Sequence, residues 1–194
     1  MGKWEDYVAA IGTGLTGLAI TDKHGRPLSA ADGFGRWVDI THDVHTRGRH
    51  VYFVGNGASA AMASHFAADA CKNGGLKAMA FNDGALLTCI GNDFAFDQVF
   101  ALPLTRFGHE GDMLVSISSS GASANILRAL ERAREMQLRI VTLSGKAADN
   151  ASRTFGDLNF YLPAARYGLI ESGHHVVLHY WLDQYLDLHG QGAV

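Results

Sequence analysis

From residue 50 onward, short, mostly apolar runs alternate with longer stretches in which apolar residues recur every three or four positions. The short runs, 50–54, 76–81, 112–117, 138–143 and 158–162, are rich in β-branched, aromatic and leucine side chains. Continuous apolar runs of this length, spaced widely enough for an intervening helix, predict parallel strands buried on both faces. The helical period falls in 59–73, 84–91, 95–107, 123–136, 147–155 and 169–188. Residues 1–48 read as helical and polar on one face, with a break at His24-Gly25-Arg26-Pro27. The pattern predicts a three-layer αβα sandwich on a five-stranded parallel sheet, residues 49–194, preceded by an N-terminal helical extension, residues 1–48. At 194 residues the chain is long enough for one domain with a substantial core.

Composition narrows the class. Sixteen basic against nineteen acidic residues leave a net charge of −3, with no basic excess to suggest nucleic acid. Two cysteines, Cys71 and Cys89, are too few for a disulfide framework and fit no zinc module. The first ten residues lack the basic-then-apolar plan of a signal peptide, and no apolar run is long enough to span a bilayer. The expectation is a cytoplasmic protein without a membrane segment. Glycine is abundant and proline scarce, 23 against 3, so several backbone positions are expected to turn sharply or approach a neighbour closely.

Two glycine-containing loops recur in the same setting. Gly55-Asn56-Gly57-Ala58-Ser59 and Ser118-Ser119-Ser120-Gly121-Ala122-Ser123 each follow a predicted strand and lead into a predicted helix. Open α/β sheets bind ligands at the carboxyl ends of their strands, and a helix start offers free N–H groups to an anion. The serine-rich loop suits a phosphate, or else an ordinary helix cap and turn. Lacking a lysine, it is no Walker loop, and nucleotide triphosphate chemistry is not expected. The first loop is not GxGxxG and is either a tight turn or a ligand contact.

Ionisable residues gather on two predicted helices. His65 and Asp69 are i and i+4 and share a face. The last helix carries Glu171, His174, His175 and His179 among apolar residues, with His175 and His179 again i and i+4. Imidazoles with carboxylates suit proton transfer near neutral pH or a divalent metal; core histidines are the alternative.

Taken together, GNGAS with HFAAD, IGNDFAFDQVF, GDMLVSISSSGASANILRAL, VTLSGK and IESGHHVVLH resemble the SIS (sugar isomerase) domain family, and within it the phosphoheptose isomerases. The resemblance implies aldose–ketose isomerisation of a ketose phosphate such as sedoheptulose 7-phosphate, with no nucleotide cofactor, in a homotetramer whose sites lie between subunits. It implies that Ser118, Ser119, Ser120 and Ser123 hold the phosphate, and that Asn56, Ser59, Asn92, Asp93 and Glu171 face substrate. It also implies Asp69 and His179 as the acid/base pair, and His65, Asp69, Glu171 and His179 as ligands for zinc. Four positions depart from the family pattern. Asp69 stands for Glu, Glu171 for Gln, Asn73 for Arg, and Gly168 for Asp. A non-catalytic sugar-phosphate-binding or tetrameric interaction protein, and an isomerase of a different phosphosugar, are the alternatives those changes raise.

Overall fold

The computed structural model describes residues 3–190. In chain order the elements are α1 (Trp4–Thr16), β1 (Ala19–Asp22), β2 (Pro27–Leu28), α2 (Ala30–Thr46), β3 (His50–Gly55) and α3 (Ala58–Lys72). There follow β4 (Lys77–Ala80), α4 (Gly84–Asp93), α5 (Ala101–Phe107), β5 (Met113–Ser118) and α6 (Ala124–Glu135). The chain continues through β6 (Arg139–Ser144), β7 (Leu158–Tyr161) and α7 (Tyr167–His189). All five expected strands are present and run parallel in the order β7-β6-β5-β3-β4.

Alternation along the strands builds the three layers, because successive side chains point to opposite faces. Val51, Phe53, Val115, Val141 and Phe160 face a core shared with Phe34 and Trp37 of α2, Met62 and Phe66 of α3, and Leu178 and Trp181 of α7. Tyr52, Val54, Leu114 and Ile140 face the opposite core with Ile90, Leu104, Ile126 and Leu130 of α4, α5 and α6. In the first core Trp37 and Trp181 stack at 4.8 Å, and the Trp181 indole donates to Thr41 Oγ1 at 3.0 Å, which joins α2 to α7.

The sheet has seven strands rather than the expected five. The extra two form a hairpin in the segment read as a helical extension, with β1 antiparallel to both β7 and β2. The predicted break is the hairpin's turn. Asp22 accepts the backbone N–H of His24 and of Arg26 and the Arg26 guanidinium. Burial opposes ionisation of this carboxyl, but those hydrogen bonds prevail and hold its pKa down to about 2. Two expected helices also change. Residues 95–107 divide into a 3₁₀ turn at Phe96–Gln98 and α5, and 147–155 keep only a 3₁₀ turn at Ala151–Thr154. In the second case the Asn150 side chain takes over the local bonding, donating to Ser144 Oγ and to the carbonyls of Gly145 and Ala147.

Candidate active site

Because the central strands are parallel, the loops after β3, β5 and β6 emerge along one edge of the sheet. The loop after β5 is shaped by Gly121, whose φ is +60° and whose N–H donates to the Ser118 carbonyl at 3.0 Å. A Cβ there would lie 1.9 Å from Asn150 Oδ1, so only glycine lets the serine loop pass beneath the β6–β7 loop. Ser152 N–H donates to the Gly121 carbonyl and fixes the pair of loops together.

The hydroxyls of this loop are unequally employed. Ser118 and Ser120 each accept a backbone N–H within the turn. Ser123 occupies the N-cap position of α6, yet its side chain makes no capping bond. Ser119 is buried and its hydroxyl has no partner. A buried unpaired hydroxyl is costly, and an uncapped helix start leaves its first N–H groups unsatisfied by side chains. Both features are those of a loop that receives an anion.

The loop after β3 is built by close approach. A Cβ at Gly55 would meet the Ser59 carbonyl at 2.5 Å, so glycine lets α3 start directly on the strand end, with Ser59 buried beneath it. Asn56 exchanges paired amide hydrogen bonds of 2.9 and 2.8 Å with Asn125 of α6, which ties the two loops together. Asn92 and Asp93, at the end of α4, are exposed and hydrogen-bonded to each other.

Between α3 and α7 runs an open groove of about 410 Å³ lined by Ala58, Ala61, Met62 and His65 on one side and Glu171, Ser172 and His175 on the other. The N-terminal half of α7 is seated tightly on the sheet: a Cβ at Gly145 would touch Ile170 at 2.7 Å, and one at Gly173 would touch Leu162 at 2.4 Å. His174, fully buried, donates Nε2–H to the Ser144 carbonyl at 3.1 Å, which anchors α7 to the end of β6. Burial pushes its pKa down to about 4, only partly offset by that carbonyl. It is a neutral structural side chain at pH 7.

Further ionisable groups gather around His65, at the edge of the groove. His65 Nε2 lies 3.3 Å from Asp69 Oδ2, with the two side chains 46 % and 26 % exposed. One ring nitrogen from each of His65, His175 and His179 lies within 4.8 Å of the others. The rings of His175 and His179 are parallel at 5.1 Å, and the buried ring of Phe66 packs edge-on against both. Burial, then the neighbouring His179 and His65, lower the pKa of His175 and favour its neutral form.

Residues 29–145 match the SIS domain family. A phosphoheptose isomerase of Dechloromonas aromatica is 33 % identical over 172 residues, covering 84 % of this chain and 85 % of that protein. A phosphoheptose isomerase structure from Neisseria gonorrhoeae superposes with a TM-score of 0.75 at 32 % identity, covering 79 % of this chain and 86 % of the other. The chain belongs to the phosphoheptose isomerase family. A further phosphoheptose isomerase structure, from Francisella tularensis, shares the fold over 93 % of this chain and 95 % of its own, with a TM-score of 0.80 at 25 % identity.

As a phosphoheptose isomerase family member, this chain gathers part of the expected residue set and adds to it. His65 and His179 converge with His175, and Asp69 meets His65; Glu171 lines the groove, and neither carboxylate is among the three converging side chains. His175, named on the last helix in the sequence but outside the expected site set, is the third of them. Its signal was present, since it is four residues from both Glu171 and His179 and falls on their stripe of α7. At one of the departures from the family pattern, Gly168, Tyr7 Oη of α1 lies 2.6 Å from where a Cβ would stand. Asn73 caps the exposed end of α3.

Proposed function

We propose that this chain is an aldose–ketose isomerase acting on a ketose 7-phosphate of the sedoheptulose type, by way of an enediol. The observation that carries the reading is the serine loop after β5, with the unpartnered Ser119 hydroxyl and the uncapped start of α6. Ser118, Ser119, Ser120 and Ser123 take the phosphate oxygens, while Asn56, Ser59, Asn92, Asp93 and Glu171 serve the sugar hydroxyls. Isomerisation moves one proton between adjacent carbons and another between their oxygens. Asp69, partly exposed beside His65, is the base that carries the carbon-bound proton, and His179 hands the oxygen-bound proton across.

The imidazoles of His65 and His179 with nearby carboxylates suit a divalent cation of the zinc type, and the resemblance adds Asp69 and Glu171 to them. Such an ion, when bound, supplies Lewis-acid polarisation of the substrate carbonyl. The assembly is a homotetramer in which the exposed apolar residues of α1, Trp4 and Val8 among them, are covered by other subunits. No helix among the described residues is long and apolar enough to cross a membrane. Both cysteines are free and exposed, which suits a reducing cytoplasm.

The test is exchange of the C1 protons of sedoheptulose 7-phosphate in D₂O, with deuterium arriving at C2 of the aldose, followed by NMR. Solvent deuterium entering the sugar and aldose appearing support the reading. Phosphate-dependent binding without exchange replaces it with a non-catalytic sugar-phosphate-binding protein.

A further inference from the structure

The geometry points to His175 as a metal ligand, so that His65, His175 and His179 form a three-imidazole divalent-metal site in which Glu171 takes no part. This rests on the isomerase reading only for what the site is used for; the ligand assignment stands on this chain's own arrangement. Among the described residues these are the one set of three His, Cys, Asp or Glu side chains whose donor atoms all come within 4.8 Å of each other. Two of them, His175 and His179, are i and i+4 on α7, the spacing by which a helix presents two imidazoles to one metal. The third comes from α3 across the groove, so the donors approach from two elements. Phe66 braces both α7 rings edge-on, which limits the freedom lost on binding.

The two expected carboxylate ligands, Asp69 and Glu171, have different tasks. Asp69 Oδ2 lies against His65 Nε2, in place to support the ring while the other nitrogen, Nδ1, binds. A carboxylate behind a ligating histidine fixes the ring and raises its basicity, the usual outer support of an imidazole–metal bond. Aspartate, one methylene shorter than the family glutamate, suits that place. Glu171 lines the groove without joining the convergent donors and so remains available to substrate. Three protein ligands would leave an open position, as a metal that engages substrate needs.

The site is tested on metal-stripped full-length protein titrated with Co²⁺ and read by its visible absorption, with folding checked by circular dichroism. His175→Asn is expected to weaken Co²⁺ binding about tenfold or more and to change the band shape, whereas Glu171→Gln leaves both as in the parent. X-ray absorption at the zinc edge of the Zn²⁺-loaded parent, which requires no variant, is expected to count three imidazoles. Two imidazoles, a His175→Asn protein that binds as the parent does, or a parent that binds neither ion each overturn the assignment. A His175-dependent Co²⁺ spectrum in a protein that never isomerises a ketose phosphate would sink the isomerase reading and leave the ligand set standing. Turnover in a protein whose spectrum ignores His175 does the reverse.

Discussion

Asp69 separates chemistry from binding at the scale of a single side chain. If it carries the carbon-bound proton, Asp69→Asn keeps the shape of the groove and removes the base. We expect kcat to fall by about 10²–10⁴-fold with little change in affinity for the phosphate. Stopped-flow or NMR turnover beside equilibrium binding would show this, and unchanged kcat would remove Asp69 from the reaction. Ser119 offers the complementary case. Its buried hydroxyl has no partner, so Ser119→Ala sacrifices no internal hydrogen bond and should leave the unfolding midpoint unchanged or slightly raised. KM for a sugar phosphate should nevertheless rise about tenfold, since a hydrogen bond to a charged group contributes about 1.5–3 kcal/mol. Equal KM in both proteins would place the phosphate elsewhere. His174 acts on stability instead. Its folded pKa of about 4 lies below the ordinary histidine value of 6.5, so the unfolded chain takes up a proton that the folded one refuses. Its neutral burial is fully tolerated above pH 6.5, and stability declines by up to about 3 kcal/mol as pH falls from 6.5 toward 4. Urea unfolding across that window should show a shallower decline for His174→Gln than for the parent.

At the scale of elements, the parts of the fold legible in the sequence were those buried on both faces. The runs at 50–54 and 138–143 are continuous and apolar because helices cover them above and below, and they appear as β3 and β6. The hairpin was not legible because β1 has only four residues, half of them buried, and lies at the margin of the sheet where polar residues are tolerated. Its cause is the Asp22 carboxylate gathering the turn, a local interaction with no periodicity. The segment 147–155 misled for a similar reason, since Asn150 spends its amide on the neighbouring loop rather than on a helix start. In the site, the serine loop was legible from composition, whereas the role of His175 depends on α3 and α7 meeting across a groove, which spacing within one helix does not disclose. The hairpin's packing gives a prediction of its own. A Cβ at Gly33 of α2 would lie 2.7 Å from Ile20 Cγ2 of β1. Gly33→Val should therefore push α2 away from the sheet edge and cost about 1–3 kcal/mol, measured by thermal or denaturant unfolding. A neutral substitution would show that this edge is loosely packed.

For the whole molecule, the exposed face of α1 and the open groove bear on assembly. Trp4 is 73 % exposed in the isolated chain, and Val8 is also exposed on the same helix. In the proposed homotetramer such residues are covered, so sedimentation should give the mass of four chains, and Trp4→Glu with Val8→Glu should shift it to smaller species. A parent that sediments as a monomer would rule the tetramer out. The central claim, however, is that a serine-loop phosphate cradle and the carboxylate–imidazole groove together isomerise a ketose phosphate. Its most direct test is NMR of the parent protein with sedoheptulose 7-phosphate in D₂O, with Asp69→Asn beside it. We predict deuterium at the reacting carbon and aldose formation in the parent and neither in the variant; binding without any exchange in the parent would contradict the account.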